Sequence, residues 1–232
     1  MTILCIETST SVCSAAICKD GALIKQCINY EGSNHARLLP LYIDELLRLA
    51  REQDLTIDAV ALSEGPGSYT GLRIGASTAK GLCYGLNVPL IPIPTLEILC
   101  EAAKSKIENR ESKIVLIPMI DARRMEVYTM IDDETKAVVV ENEESLINDQ
   151  LPMTNDQSVY YFGDGAEKCS KVFTKPNWHL VPNIVPEARF VGVLAENQKS
   201  KIENQKSIDL AYYEPFYLKE FIAAQSHVKG LK

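Results

Sequence analysis

Residues 63–75 read "SEGPGSYTGLRIG". Glycines, a proline and hydroxyl side chains sit between the apolar run "IDAVAL" (57–62) and a helix-like stretch that continues to about Asn87. The composition invites a phosphate-cradling loop, but the spacing does not support one. No lysine completes G-x-x-x-x-G-K-[ST], and Gly65, Gly67 and Gly71 are one residue too far apart for G-x-G-x-x-G. Pro66 stiffens the turn, and Ser68 or Thr70 can cap the helix. Glycines then run on into the helix, where a phosphate loop does not require them. Gly71, Gly75 and Ala79 form one small-residue row, and Gly81 and Gly85 form another. Each helical glycine costs about 1 kcal/mol relative to alanine, so close packing must compensate. The stretch reads as a strand, a tight turn and the entry of a close-packing helix.

Working outward, "TILCIETS" (2–9) is an apolar run too short for a helix and reads as a buried strand. "VCSAAICKDG" (12–21) follows, and Asp20-Gly21 signals a hairpin into "ALIKQCINY" (22–30). Ser33 or Asn34 can cap a helix from about His35 to Arg51. At 100° per residue its apolar side chains cover roughly 240° of arc, far wider than one sheet contact needs. That helix has two apolar faces, and one is left for another surface. "VPLIPIP" (88–94) is a strand, and Thr95 caps a helix to about Ser105. The pattern then repeats: strands "KIVLIPMID" (113–121), "EVYTMID" (126–132), "KAVVVE" (136–141) and "SVYYFGDG" (158–165), with helices from about Ala166 and Ala188. Hairpins followed by alternating strands and helices, twice over, predict two α/β lobes meeting near residue 105. The predicted division is 1–105, 106–218 and a tail at 219–232. "KSKIEN" occurs at 104–109 and again at 199–204, and both copies read as polar surface insertions.

The formal net charge of −7 and the absence of a long basic run argue against a dedicated nucleic-acid surface. No window approaches the ~20 apolar residues of a membrane span, and the N-terminus has no signal-peptide pattern. Seven cysteines without C-x-x-C spacing read as reduced core thiols in a cytosol.

Four stretches, in order, carry a resemblance: "ILCIETSTSVCSAAI" (3–17), "EGPGSYTGLRIG" (64–75), "IDARRMEVY" (120–128) and "EPFYLK" (214–219). The chain resembles the bacterial TsaB (YeaZ) family along most of its length, apart from the KSKIEN segments. The resemblance implies an actin-like, ribonuclease-H-like (ASKHA) two-lobe fold with mixed sheets flanked by helices. It also implies a cytoplasmic, non-catalytic scaffold that binds TsaD, with TsaE, in the complex forming N6-threonylcarbamoyladenosine in tRNAs reading codons that start with A. TsaD would dock through a helical bundle, the chain would pair with itself when alone, and tRNA would be reached only through the complex. The implied interface takes Leu38, Leu39, Tyr42, Ile43, Leu46 and Leu49 from the first helix, and Gly71, Arg73, Gly75, Ala79 and Leu82 from the second.

The residues bear on whether the chain is itself an enzyme. Glu7, Thr8 and Ser9 have two readings: a phosphate turn with a water-mediated Mg²⁺, or a polar hairpin turn that satisfies its own backbone. Asp121 is followed by Ala122, Arg123 and Arg124 where active relatives place glycines, and a salt bridge to one arginine is expected. Gly163, Asp164 and Gly165 lie where an adenosine pocket would be, with an acid splitting the pair. These positions outline a vestigial nucleotide site, so no cofactor is expected beyond weak, Mg-dependent nucleotide binding. TsaD carries H-x-x-x-H on its first helix; here His35 is followed four residues later by Leu39, and His35 reads as a surface or capping residue. No metal is expected. The alternative is an actin-like ATPase or metalloprotease-like enzyme acting alone. The tail lysines Lys219, Lys229 and Lys232 have two readings: a frayed, solvated end, or a local basic contact to tRNA within the complex.

Overall fold

A computed structural model of the chain describes residues 1–32, 34–107, 114–131, 134–146, 157–198 and 208–219. The first sheet contains β1 (Thr2–Glu7), β2 (Cys13–Lys19), β3 (Ala22–Asn29), β4 (Ala59–Gly65) and β5 (Leu90–Pro94), in the order β3-β2-β1-β4-β5. β1, β2 and β3 run antiparallel, and β4 and β5 add in parallel. Asp20 and Gly21 both adopt positive φ, the two-residue turn that the right-handed strand twist favours.

Period-2 alternation splits the core across this sheet. Leu4, Ile6, Ala15 and Ile17 point toward α1 (His35–Glu52) and α2 (Tyr69–Leu86). Ile3, Cys5, Ala16 and Cys18 point toward α3 (Thr95–Lys104) and α5 (Ala188–Asn197). All seven cysteines are free and buried.

The second sheet contains β6 (Ile114–Asp121), β7 (Glu126–Ile131), β8 (Glu134–Val139), β9 (Ser158–Phe162) and β10 (Trp178–Val181), ordered β10-β9-β6-β7-β8. Its plan repeats the first: a three-strand antiparallel meander, then two parallel strands. Two such mixed sheets with flanking helices make the actin-like, ribonuclease-H-like architecture. The helices of the second half are short. Among the described residues, a single 3₁₀ turn (Glu143–Leu146) lies between β8 and β9, and α4 (Ala166–Cys169) lies between β9 and β10. The last helix, α5, returns to pack on β1 and β2 of the first sheet.

Several local expectations need correction. Asn34 stands at the α1 N-cap without a side-chain bond, and Ser33 lies outside the described residues. Thr95 does not cap α3; its hydroxyl meets Ser63 Oγ at 2.8 Å inside the core, and Pro94 holds the cap position. Ser68 does cap α2, accepting from Gly71 N at 3.3 Å. The second KSKIEN copy, residues 108–109 of the first, and Lys229 and Lys232 lie outside the described residues.

Candidate functional site

A cleft of about 510 Å³ opens between the two sheets, at the ends of β1 and β6. Its first wall is the turn after β1, which the stretch 63–75 presses against. Gly65 adopts φ of +118°, open to glycine and strained for other residues. A Cβ on Gly71 would lie 2.0 Å from Thr8 O, and one on Gly75 would lie 2.4 Å from Thr8 Oγ1. These glycines let α2 seat directly on the β1 turn. Thr8 Oγ1 donates to Gly71 O at 2.8 Å, and Ser68 N donates to Ser9 O at 2.6 Å. Ser9 N and Oγ both donate to Glu7 Oε1, at 2.6 and 2.5 Å. Thr8 and Ser9 are fully buried, as is Glu7. Burial raises the Glu7 carboxyl above its usual range, although the Ser9 bonds oppose this, and Oε2 has no hydrogen-bond partner.

The second wall is the turn after β6. Asp121 pairs with Lys168, which also donates to Glu126 O at 2.7 Å. The expected salt bridge to Arg123 or Arg124 is replaced: Arg123 reaches Asp121 Oδ1 only through its backbone N–H, at 2.9 Å, and both arginines sit at positive φ. Asp164 Oδ1 accepts from Asp121 N at 2.9 Å, and burial raises its carboxyl. Gly163 and Gly165 pack on the β6 backbone at Met119 and Ile120. Gly165 thus matches Gly67, which meets Ser9 O after β1, whereas Gly65 meets Phe216 O instead.

An actin-like cleft implies a nucleotide with its metal, and these residues do not fit one. The hydroxyls of Thr8 and Ser9 are committed inside the chain, Asp121 is neutralised by a lysine, and Asp164 caps the neighbouring backbone. Among the described residues, no group of three or more His, Cys, Asp or Glu side chains could hold a metal ion. His35 is not a surface residue either. It is 5% exposed, and its Nε2 lies 2.9 Å from Thr10 O, tying α1 to the first turn. Leu39, one turn on, is fully buried in the core.

The residues expected to meet a partner separate into groups. Leu39, Ile43, Leu46, Gly71, Gly75 and Ala79 are interior, packed on the chain's own sheet and first turn, so none of them offers surface. Leu38, Tyr42, Leu49 and Leu82 are half-buried, and Arg73 is exposed. The outer side of the helix pair carries residues that sequence reading did not select. Leu41 is 62% exposed and Tyr84 87% exposed, while a Cβ on Gly81 or Gly85 would meet nothing within 4 Å. The sequence signal was present: Gly81 and Gly85 form the second small row, rotated away from the first.

The sequence profile described as "TsaD: tRNA N6-adenosine threonylcarbamoyltransferase" matches residues 30–225. The tRNA threonylcarbamoyladenosine biosynthesis protein TsaB of Haemophilus influenzae is 39% identical over 130 residues, 55% of this chain and 52% of that protein. The Bacillus subtilis protein of the same name is 28% identical over 203 residues, 85% of this chain and 82% of that one. The match thus spans about half the length of the first relative and most of the second. The solved structure of YeaZ from Pseudomonas aeruginosa superposes with a TM-score of 0.68 at 26% identity, over 94% of this chain and 99% of that one. The chain belongs to the family this profile describes and, within it, to the TsaB (YeaZ) branch.

Proposed function

We propose that this chain is a non-catalytic scaffold and activating subunit in the formation of N6-threonylcarbamoyladenosine in tRNAs that read codons starting with A. It works by docking a TsaD homologue on the outer face of α1 and α2. The names of its relatives supply the pathway. The observation that carries the reading is the contrast between the two surfaces. The polar turns of the cleft are engaged internally, while the helix pair leaves Leu41, Tyr84 and the open Gly81–Gly85 row facing outward. A glycine row inside a helix forfeits stability unless another backbone approaches it. Among the described residues, nothing comes within 4 Å of where its side chains would stand.

TsaE joins the larger complex, and tRNA is reached only through it, as a net charge of −7 favours. When alone the chain pairs with itself through the same face in the cytoplasm. Homodimer and heterodimer then compete, and adding TsaD should dissolve the homodimer. An ATPase or metalloprotease-like enzyme acting alone finds no support in the engaged turns.

The test is co-purification with a TsaD homologue together with reconstituted tRNA modification. Leu41→Asp and Tyr84→Glu are expected to fold and to lose the complex. Leu39→Asp and Leu46→Glu instead put charge in the core and test only folding. Asp121→Ala is expected to retain modification. Wild-type binding by both surface variants would sink the docking face, and lost modification in an intact Asp121→Ala complex would establish a catalytic role.

A further inference from the structure

Residues 208–219 have no regular secondary structure, yet they bridge the two halves of the molecule. On the first half, Lys80 Nζ donates to the carbonyls of Ala211 and Tyr213, each at 3.2 Å. Leu210 and Tyr213 pack on the core beneath α1 and α2. Phe216 N donates to Glu64 O at 2.7 Å, and the Tyr217 ring lies 5.1 Å from that of Tyr69. On the second half, Lys219 Nζ pairs with Glu126 on β7 and lies 5.9 Å from the Tyr128 ring centre. Between these anchors, Phe216 to Lys219 line the mouth of the interlobe cleft.

The two ends are held unequally. The α2 end has several contacts, part of them buried; among the described residues the β7 end rests on the Lys219–Glu126 ion pair, with side chains 40% and 24% exposed, and on the approach of Lys219 to the Tyr128 ring. Such partly solvated pairs are weak and sensitive to salt. A space of about 280 Å³ remains between this segment and α2, lined by Tyr69, Arg73, Tyr213 and Tyr217, so the segment is not packed flush.

We propose that residues 213–219 form a strap over the cleft, hinged on α2 and latched to the second sheet by Lys219. Unlatching lets the strap swing off the cleft mouth, while the buried core shared by both sheets, with Ile120 and Phe162 packed beside Ile3 and Cys5, keeps the two halves together. The strap does not depend on the docking role proposed above. Because its hinge uses Lys80, however, a partner that engages that lysine would also loosen the latch.

The test places spin labels at Leu218→Cys, next to the latch, and at Lys171→Cys, exposed on the second half; the native thiols are buried and label slowly. The distance distribution between the strap and the second half is expected to be narrow with the native latch. In Lys219→Glu it should broaden toward longer distances, with amide exchange across 212–219 at least tenfold faster. The charge swap Lys219→Glu with Glu126→Lys should restore both, and high salt should act in the direction of Lys219→Glu. An unchanged distribution in Lys219→Glu and in the milder Lys219→Gln overturns the strap. So does a charge swap that fails to restore the narrow distribution.

Discussion

Gly81→Ala separates the two glycine rows of α2 by sign. Gly81 lies inside an 18-residue helix, and an added Cβ would meet nothing within 4 Å. Alanine there removes the glycine penalty without a clash, a gain of about 1 kcal/mol. For a chain of this size, that raises the Tm by about 2–4 °C. Gly71→Ala gains the same helix propensity, but its Cβ would lie 2.0 Å from Thr8 O. Ordinary contact begins at 3.4 Å, so helix and turn must separate by more than an ångström. Overpacking of that kind costs about 1–3 kcal/mol or more, and the Tm falls. Calorimetry of the purified chain, diluted until sedimentation shows it monomeric, reads both effects. The partner arm uses Gly81→Leu, which fills the open row. The monomer should stay folded, while affinity for the TsaD homologue drops at least tenfold. A Tm that falls in Gly81→Ala would show that the row is already covered within the chain. Unchanged affinity in Gly81→Leu would refute close backbone approach as the reason for the outer glycines.

The pH dependence of stability should change in Glu7→Gln. Burial raises the Glu7 carboxyl, so the folded chain keeps a proton that the unfolded chain releases between the ordinary and raised values. Stability is therefore full below the ordinary carboxyl value and falls as pH rises through that window, by up to about 1.4 kcal/mol per pH unit. The substituted amide can still accept from Ser9 and carries no charge. The variant should therefore melt higher than wild type at neutral pH and converge with it in acid; parallel curves would refute this. His35→Leu should cost about 1–3 kcal/mol by leaving Thr10 O unpaired, with no response to a chelator in either protein. A chelator-dependent loss of Tm in wild type alone would make His35 a metal ligand.

The strands and long helices of the first half were legible because each has a strong local signal. A short unbroken apolar run marks β1, Asp20-Gly21 marks the hairpin from β2 into β3, and a wide apolar arc marks α1. β10 and the 3₁₀ turn were missed because four residues contain no readable period. The site was less legible, for a different reason. Periodicity shows that Gly71, Gly75 and Ala79 share a face, but not what that face meets. Its neighbour is Thr8, 63 residues from Gly71. The partner of Asp121 is likewise Lys168, 47 residues away, rather than the adjacent arginines. The bond from His35 to Thr10 spans 25 residues. Contacts of this range depend on strand order, which no single motif encodes.

The repeated topology explains why the exposed helix face belongs to only one half. Both sheets follow the same strand plan, and both place a glycine pair at the end of the fourth strand: Gly65 and Gly67 in one, Gly163 and Gly165 in the other. Each pair carries positive φ at its first glycine, and its second glycine presses against the sheet's first strand or the turn that follows it. What differs is the helix that follows. After Gly67 it runs for 18 residues; after Gly165 it runs for four. Helices pack on one another through ridges several turns long, and four residues make barely one turn. Among the described residues, α1 and α2 are the only helices of such length. The turn that would serve a ligand in an active cleft is here the seat for α2, so the same glycines that fill the cleft wall hold in place the helix proposed to dock a partner.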